Sequence, residues 1–213
     1  KDSEEDLIIK LENHLLKAVK RQMLSDVPLG FFLSGGLDSS ILVAMARKLN
    51  PEMKIKCYTI QTNPTEGFTD DLSYAKKVAD HLNVNLTVID AKADVLKSFD
   101  KVIYHLDEPQ ADPAPINVYN ICKAARKDGI KVLIGGTAGD DILSGYRRHQ
   151  ALNFESVVEK IPLFFREVIK NLSLKLNGTS SFVRRLKKLL ANLEKSKEER
   201  MMGYFSWINP TTL

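Results

Sequence analysis

Cysteine is scarce in this chain of 213 residues, which contains only Cys57 and Cys122. Two isolated cysteines form neither the disulfide framework of a small secreted domain nor a zinc site. We expect both thiols to be reduced and buried. The chain also lacks an apolar run of 18 residues, so we expect no membrane span. Its first residues, Lys1 to Glu5, are too acidic for the start of a secretory leader.

Neither sign of charge is in large excess. The formal net charge is +4 at pH 7, and the positive excess lies in residues 151–213, which leaves residues 1–150 near neutral. A nucleic-acid-binding domain carries a basic face with aromatic platforms on its core, and this pattern is missing here. We therefore expect no nucleic-acid partner. A hydrophobic content of 44% is enough for one core of ordinary size and a modest appendage.

Two common phosphate-binding patterns are absent. The Walker A loop requires a Gly-Lys-Ser/Thr sequence, and the chain contains no Gly-Lys pair. The spaced glycines of a dinucleotide-binding fingerprint are absent as well. A phosphate site in this chain must therefore be built in another way.

A glycine- and serine-rich turn between a strand and a helix is the most informative segment. Residues 29–33 read as a buried strand, Asp38 to Leu49 has apolar residues at helical spacing, and Gly35 and Gly36 permit a tight turn. Hydroxyls, backbone amides and a helix N-terminus can bind a pyrophosphate group. Asp38 would repel it unless a divalent cation, magnesium, lay between them. The alternative is an ordinary turn in which Asp38 only stabilises the helix start. The segment reads Ser34-Gly35-Gly36-Leu37-Asp38-Ser39-Ser40.

Strand and helix patterns alternate along the first 150 residues. This alternation predicts an α/β fold, a parallel sheet with helices on both faces, in which ligands bind at the carboxyl ends of the strands. We expect loops 34–40, 61–65 and 135–141 to converge there. The predicted strands are residues 29–33, 55–61, 85–90 and 131–134, and the predicted helices are residues 3–24, 38–49, 70–82, 91–106 and 116–128.

The Ser-Gly-Gly-Leu-Asp-Ser-Ser turn resembles the pyrophosphate loop of the N-type ATP pyrophosphatases, whose fold is the adenine nucleotide α-hydrolase-like PP-loop fold. Residues 24–40, 107–113 and 131–148 together are similar to the synthetase domain of the asparagine synthetase family. The resemblance covers residues 7 to about 150. It implies a PP-loop core over residues 1–150 and a truncated helical extension over residues 151–213. It also implies a cytoplasmic protein that uses ATP and Mg²⁺, acts on a small-molecule carboxylate and is compatible with a homodimer.

The resemblance also implies roles for particular residues. Leu33 and Ile60 would line the adenosine site, and Gly135 and Gly136 would let the chain pass close to the nucleotide. Asp38 and Asp140 would share the magnesium ion on the pyrophosphate. The bland interpretation of Asp140 is an acidic residue at a helix N-terminus. The remaining residues of the nucleotide site would be those of the loop, Ser34, Gly35, Gly36, Leu37, Ser39 and Ser40.

Thr137 departs from the family pattern. The second loop of asparagine synthetases usually reads Ser-Gly-Glu-Gly-x-Asp-Glu, and Thr137 stands at the place of the glutamate. A threonine hydroxyl in an ordinary environment cannot act as a base near neutral pH. Three possibilities stay open. The family reaction, in which a carboxylate is adenylated by ATP with release of pyrophosphate and then amidated by ammonia, uses aspartate here, or it uses another carboxylate such as a sugar acid or a secondary metabolite. Alternatively, the domain is a catalytically reduced ATP-binding regulatory module. Asp107 and Glu108 either face the substrate amine or are structural.

The resemblance implies two parts that this chain does not contain. One is a glutaminase domain that supplies ammonia, and the other is a later helix that carries a catalytic lysine. Because the chain also has no initiator methionine, we expect it to be a piece of a longer protein.

The tail of the chain contains an apolar stripe that indicates either a solvated helix packed on other helices or a membrane-surface helix. The stripe consists of Phe182, Leu186, Leu189 and Leu193. Tyr204, Phe205 and Trp207 are expected in a core or at a partner contact, and the four histidines in structural roles.

Overall fold

The computed structural model describes residues 2–61, 71–90, 95–108, 110, 114–174 and 180–206. The chain divides into two compact units, Lys1–Thr137 and Ala138–Leu213. The predicted organisation into residues 1–150 and 151–213 is a functional division and stays a prediction. The loop 62–69, the segments 91–94 and 111–113, and Trp207 lie outside the described residues.

The first unit alternates strands and helices, as predicted. The helix and strand order was read correctly, but several ends differ. The elements are α1 (Glu4–Gln22), β1 (Leu29–Phe32), α2 (Leu37–Leu49), β2 (Lys56–Gln61), α3 (Asp71–His81), β3 (Asn85–Asp90), α4 (Val95–Tyr104), α5 (Ala114–Lys127) and β4 (Val132–Ile134).

The four strands described form one parallel sheet in the order β3-β2-β1-β4. Phe31 of the central strand β1 lies opposite Cys57 of β2 on one side and Ile134 of β4 on the other. All three pairings are parallel, so the carboxyl ends of the strands share one edge. The loops that follow β1 and β4 therefore start next to each other.

Apolar side chains cover both faces of the sheet. On one face Phe31, Leu33 and Cys57 pack with α1, α2 and α3 in a fully buried cluster. On the other face Tyr58 packs with Ile121 of α5 and neighbouring apolar residues. Side chains alternate between faces along a strand, and residues 57 and 58 accordingly belong to different clusters. The predicted doubly covered parallel sheet is confirmed.

Helix ends differ from the predicted ones for local reasons. Ser3 and Asp6 form a capping box at the start of α1, as expected, but the helix ends at Gln22 instead of near Leu24. Helix α5 starts at Ala114, two residues before the predicted start, and includes Pro115 in its first turn. Proline is tolerated there because the first turn does not use its backbone N–H for intrahelical bonds.

The prediction that both cysteines are buried is wrong for Cys122. Cys57 is fully buried in the centre of the sheet, whereas Cys122 lies on an exposed face of α5.

The apolar stripe of α1 is buried only near the end of the helix, at Val19, whereas Ile8 and Leu11 are exposed. Helical spacing places residues on one face but does not say whether that face is covered.

The second unit is helical over its described residues. Leu193 and Tyr204 are buried in it, and Phe182, at the start of the predicted stripe, is exposed. None of the described helices in either unit is long and apolar enough to cross a bilayer. The elements are α6 (Gly139–Ile142), α7 (Arg147–Leu152), α8 (Glu155–Val158), α9 (Leu163–Leu174), α10 (Ser181–Leu190) and α11 (Lys197–Phe205).

Candidate functional site

The turn between β1 and α2 opens directly onto a helix N-terminus. Gly36 is the N-cap residue of α2, with extended backbone, and it has no side chain to cap the helix. The backbone amides of Leu37, Asp38 and Ser39 occupy the first turn, where an α-helix has no internal acceptors for them. These amides and the positive end of the helix dipole make the turn suitable for an anion.

Three serine hydroxyls organise the turn. The Ser39 hydroxyl is buried. It donates a hydrogen bond to the Gly36 carbonyl at 3.1 Å and accepts one from the Ser34 amide at 3.2 Å. The Ser34 and Ser39 hydroxyl oxygens are 3.0 Å apart, and the Ser40 hydroxyl donates to Gly36 O at 2.8 Å. The Gly36 amide donates in turn to Ser34 Oγ at 3.3 Å. The network holds the turn in shape without any cationic side chain.

Gly35 is required by close packing as well as by its backbone conformation. Its φ is +87°, and a Cβ atom there would lie 2.5 Å from the Asp71 carbonyl oxygen and 2.5 Å from the Ala75 amide nitrogen. The turn therefore rests on helix α3, a contact that the sequence analysis missed. The available signal was weak: Asp71 and Ala75 are four residues apart and so share a helix face.

The turn that follows β4, at Gly135 and Gly136, contacts the turn that follows β1 within the first unit. A Cβ atom on Gly136 would lie 3.0 Å from the backbone carbon of Asp38 and 3.0 Å from the Ser39 amide nitrogen. Gly135, by contrast, faces the ring of Phe32. The expected approach of loops 34–40 and 135–141 is confirmed at Gly136, where a Cβ atom would make contacts tighter than those of most side chains.

The two residues predicted beside the adenosine lie at strand ends. Leu33 follows β1, its side chain is fully buried, and its amide donates to the Tyr58 carbonyl at 2.9 Å. Ile60 is half-buried near the end of β2 and packs against the cluster around Tyr58. Of these two, only Ile60 has a partly accessible side chain.

The acidic and hydroxyl candidates are distributed over both units. Asp38 is half-buried in the first turn of α2, and Thr137 is exposed at the end of the first unit. Asp140 lies in the first turn of α6 in the second unit, where it approaches Gly145 so closely that a Cβ atom on that glycine would lie 2.0 Å from Asp140 Oδ1. The shared magnesium site of Asp38 and Asp140 stays a prediction.

The remaining candidates in the described part of the chain lie outside the two turns. Asp107 and Glu108 are exposed, and Asp112 lies outside it. No group of three or more His, Cys, Asp and Glu side chains among the described residues could hold a metal ion. The structural role expected for the histidines stays a prediction.

Comparison with known proteins shows which family the chain belongs to. The sequence profile of the family described as asparagine synthase matches residues 10–208, which include both glycine turns and most of the second unit. The chain belongs to the asparagine synthase family. The match extends well beyond residue 150, where the resemblance based on motifs ended.

Individual asparagine synthase relatives agree with this assignment. The chain is 30% identical over 169 residues to asparagine synthetase [glutamine-hydrolyzing] 1 of Bacillus subtilis, covering 78% of this chain and 26% of that protein. It is 35% identical over 170 residues to the putative asparagine synthetase [glutamine-hydrolyzing] 2 of Methanocaldococcus jannaschii, covering 78% of this chain and 32% of that protein. The chain thus matches about a quarter to a third of the length of these relatives.

A solved structure supports the fold. The U34-tRNA thiolase NcsA of Methanococcus maripaludis superposes with a TM-score of 0.50 at 15% identity, covering 94% of this chain and 71% of that one. This likeness and the parallel sheet identify the asparagine synthase chain as a PP-loop ATPase-like fold.

Proposed function

We propose that this chain is the synthetase part of an ATP-dependent, amide-forming ligase that adenylates a carboxylate and transfers ammonia to it. The observation that carries the proposal is the uncapped start of α2 beside Gly136, inside the segment that matches the asparagine synthase family. A Cβ atom at position 136 would press against the backbone of Asp38 and Ser39, so the glycine lets the two turns lie side by side at the carboxyl edge of the sheet.

In this proposal the turn of residues 34–40, here called the serine turn, binds the pyrophosphate part of ATP. The first-turn amides of α2 donate to phosphate oxygens, and the hydroxyls of Ser34 and Ser40 turn from their internal partners toward the ligand. Ser39 keeps its buried bonds and holds the turn in shape. Leu33 contributes to the adenosine site through its backbone carbonyl, since its side chain is buried, and Ile60 contributes apolar contact.

Asp38 is the proposed magnesium ligand next to the phosphates, and Asp140 is the proposed second carboxylate. A carboxylate oxygen on the first turn of α2, beside hydroxyls and open amides, is the hard oxygen donor that this ion prefers. When bound, magnesium offsets the negative charge that develops on the departing pyrophosphate.

The chemistry follows from the poor reactivity of a carboxylate. Its oxygen attacks the α-phosphorus of ATP, the bond to the β-phosphate bridging oxygen breaks, and an acyl-adenylate and pyrophosphate result. Ammonia then attacks the acyl carbon, AMP leaves, and one ammonia proton is lost to water or to a base. A site that holds the reactants in one cleft removes most of the entropic barrier. We further propose that the ammonia comes from a glutaminase domain of the complete protein.

Thr137 bears on the identity of the acceptor. Because its hydroxyl is a poor base, the deprotonation of ammonia falls to another group or to the substrate itself. Aspartate is the acceptor suggested by the names of the relatives. The missing glutamate favours a second candidate, in which the acceptor is another carboxylate, such as a sugar acid or a secondary metabolite.

The test is magnesium-dependent exchange of labelled pyrophosphate into ATP by the complete protein, across aspartate and a panel of sugar and amino carboxylates. We expect exchange with one acid and a loss of at least about 100-fold in Asp38→Asn, because a group that stabilises the leaving group is removed. Asp80→Asn, an exposed aspartate on α3, is the matched control and should keep full exchange. ATP binding without exchange for any acid would instead indicate a regulatory module.

A further inference from the structure

A second concave site lies between α4 and α5 of the first unit. It is a groove of about 820 Å³, within the size range of small-molecule sites. Its described lining comes from α4, from the segment that follows it and from one side of α5. The lining residues are Val102, His105, Leu106, Gln110, Ala114, Pro115, Val118, Tyr119, Cys122, Lys123, Arg126 and Lys127.

The groove is apolar along most of its length and basic at one end. Val102 is buried in its wall, and the rings of His105 and Tyr119 stack with centroids 6.0 Å apart. Among the described lining residues the charged ones are Lys123, Arg126 and Lys127, and all three are basic. Their exposed side chains lie together in the last turns of α5.

The basic end points away from the serine turn. Helix α5 precedes β4, which is parallel to β1, so the last residues of α5 lie near the amino edge of the sheet. The serine turn follows β1 at the carboxyl edge. Helix α5 has 14 residues. At about 1.5 Å per residue, a helix of this length separates its two ends by roughly 20 Å.

We propose that the α4–α5 groove binds a small amphiphilic anion, an elongated apolar molecule that ends in a carboxylate. The apolar part contacts Val102, Val118 and Tyr119, and the carboxylate pairs with Arg126 and its neighbouring lysines. The argument for this occupant is charge complementarity. The groove has an apolar wall next to a cluster of positively charged side chains, and the guanidinium of an arginine is suited to pair with a carboxylate. The site is separate from the proposed ATP site and does not rest on the proposed function.

Cys122 is a built-in reporter of the groove. It lines the groove and is exposed, whereas Cys57, the other cysteine of the chain, is fully buried in the sheet. Partial desolvation raises the pKa of the Cys122 thiol. Of these two cysteines, a thiol reagent should label only Cys122 in the folded protein, and an alkaline pH favours the reactive thiolate.

The experiment measures the rate at which iodoacetamide labels Cys122 in the complete protein, by mass spectrometry of the peptide that contains this residue, with sodium decanoate added below its micelle-forming concentration. We expect saturating decanoate to slow labelling by about tenfold or more, since the bound chain covers the thiol. Arg126→Glu should raise the half-protecting concentration by about tenfold, the effect of losing one charge-assisted pair. Lys76→Glu, the same charge reversal on the distant helix α3, should leave it unchanged.

Two further compounds separate the contribution of the carboxylate from that of the apolar chain. Acetate carries the anionic group without the apolar part, and 1-decanol carries the apolar part without the charge; we expect neither to protect at decanoate's half-protecting concentration. Equal protection by decanol, or no protection by decanoate, overturns the proposal. So does a Cys122 that is unreactive without ligand, because a protein segment then covers the groove.

Discussion

Ala138 has a backbone conformation that alanine seldom adopts. Its φ is 72° and its ψ is 4°, in the left-handed region, at the position that precedes α6. The asparagine synthase pattern Ser-Gly-Glu-Gly-x-Asp-Glu has its second glycine at this place. A Cβ atom makes the left-handed region unfavourable by about 1–2 kcal/mol. This alanine therefore stores strain in the turn that precedes Asp140.

We predict that Ala138→Gly stabilises the protein by about 0.5–1 kcal/mol. The substitution relieves the left-handed strain, and part of that gain is offset by the greater freedom of glycine in the unfolded chain. Urea denaturation followed by circular dichroism would measure the change. Ala191→Gly, whose φ is −61°, is the matched control and should destabilise the protein. A loss of stability in Ala138→Gly would contradict the prediction.

Arg47 joins three parts of the first unit at the end of α2. Its guanidinium donates to the carbonyls of Pro51 and Met53 in the connection to β2, at 2.7 and 2.8 Å. It also donates to the carbonyls of Leu82 and Asn83 between α3 and β3, at 2.9 and 2.6 Å. One side chain thus satisfies four backbone acceptors that regular secondary structure leaves open.

We predict that Arg47→Met destabilises the first unit by about 3 kcal/mol. A hydrogen bond from a charged donor contributes about 1.5–3 kcal/mol, and part of the loss is recovered as water reaches the freed carbonyls. Chemical denaturation measures the effect. Lys48→Met serves as the control, because its ion pair with Glu12 is exposed on both sides and such pairs contribute at most about 1 kcal/mol. Equal effects of the two substitutions would sink the argument.

A buried ion pair connects α8 to α11 in the second unit. Glu155 accepts from Arg200 Nη2 at 2.6 Å and from the Tyr204 hydroxyl at 2.7 Å, and all three residues are buried. Burial by itself raises the pKa of Glu155, but the hydrogen bonds from Arg200 and Tyr204 outweigh it, so the pKa lies below its ordinary value of 4.5. The carboxylate is therefore the form that the folded unit prefers.

This preference predicts a pH-dependent contribution to stability. Because the folded pKa is lower, the unfolded chain binds more protons in acid; the contribution is complete above about pH 5 and is lost as pH falls below it. Glu155→Gln should cost about 3 kcal/mol at pH 7, since the buried guanidinium loses its counter-charge. Denaturation at a series of pH values should show the difference between wild type and Glu155→Gln shrinking below pH ~4.5. A constant difference would refute the assignment.

Each of the two compact units of the chain contains buried apolar residues. In the first unit, Phe31, Val43 and Cys57 are fully buried around the sheet. In the second, Val158, Leu193 and Tyr204 are buried among helices. Each unit therefore contains its own apolar interior, which is the condition for local unfolding to occur in one unit at a time.

We predict that hydrogen exchange responds to substitutions one unit at a time. Arg47→Met should speed exchange of amides in β1 and β2 and leave those in α11 unchanged, and Glu155→Gln should do the reverse. Mass-spectrometric exchange of peptides from both units measures this directly. If either substitution speeds exchange in both units equally, the chain opens as one cooperative body.

The serine turn and the order of strands and helices were predictable because they depend on local information. A seven-residue turn after an apolar run and an alternation of strand-like and helix-like patterns are both visible within short windows. Parallel topology followed from the alternation, and it placed the first and last glycine turns at one edge of the sheet before any contact was known.

Long-range packing decided the rest. The support of Gly35 by α3, the four carbonyls bound by Arg47 and the exposure of Cys122 depend on which surfaces meet across many intervening residues. Periodicity assigns a residue to a face, but only the folded chain shows what covers that face. Local sequence therefore determined the chemistry of the turn and the fold class. Tertiary packing determined the Gly136 contact that joins the two turns of the proposed nucleotide site, and it also determined the groove beside Cys122.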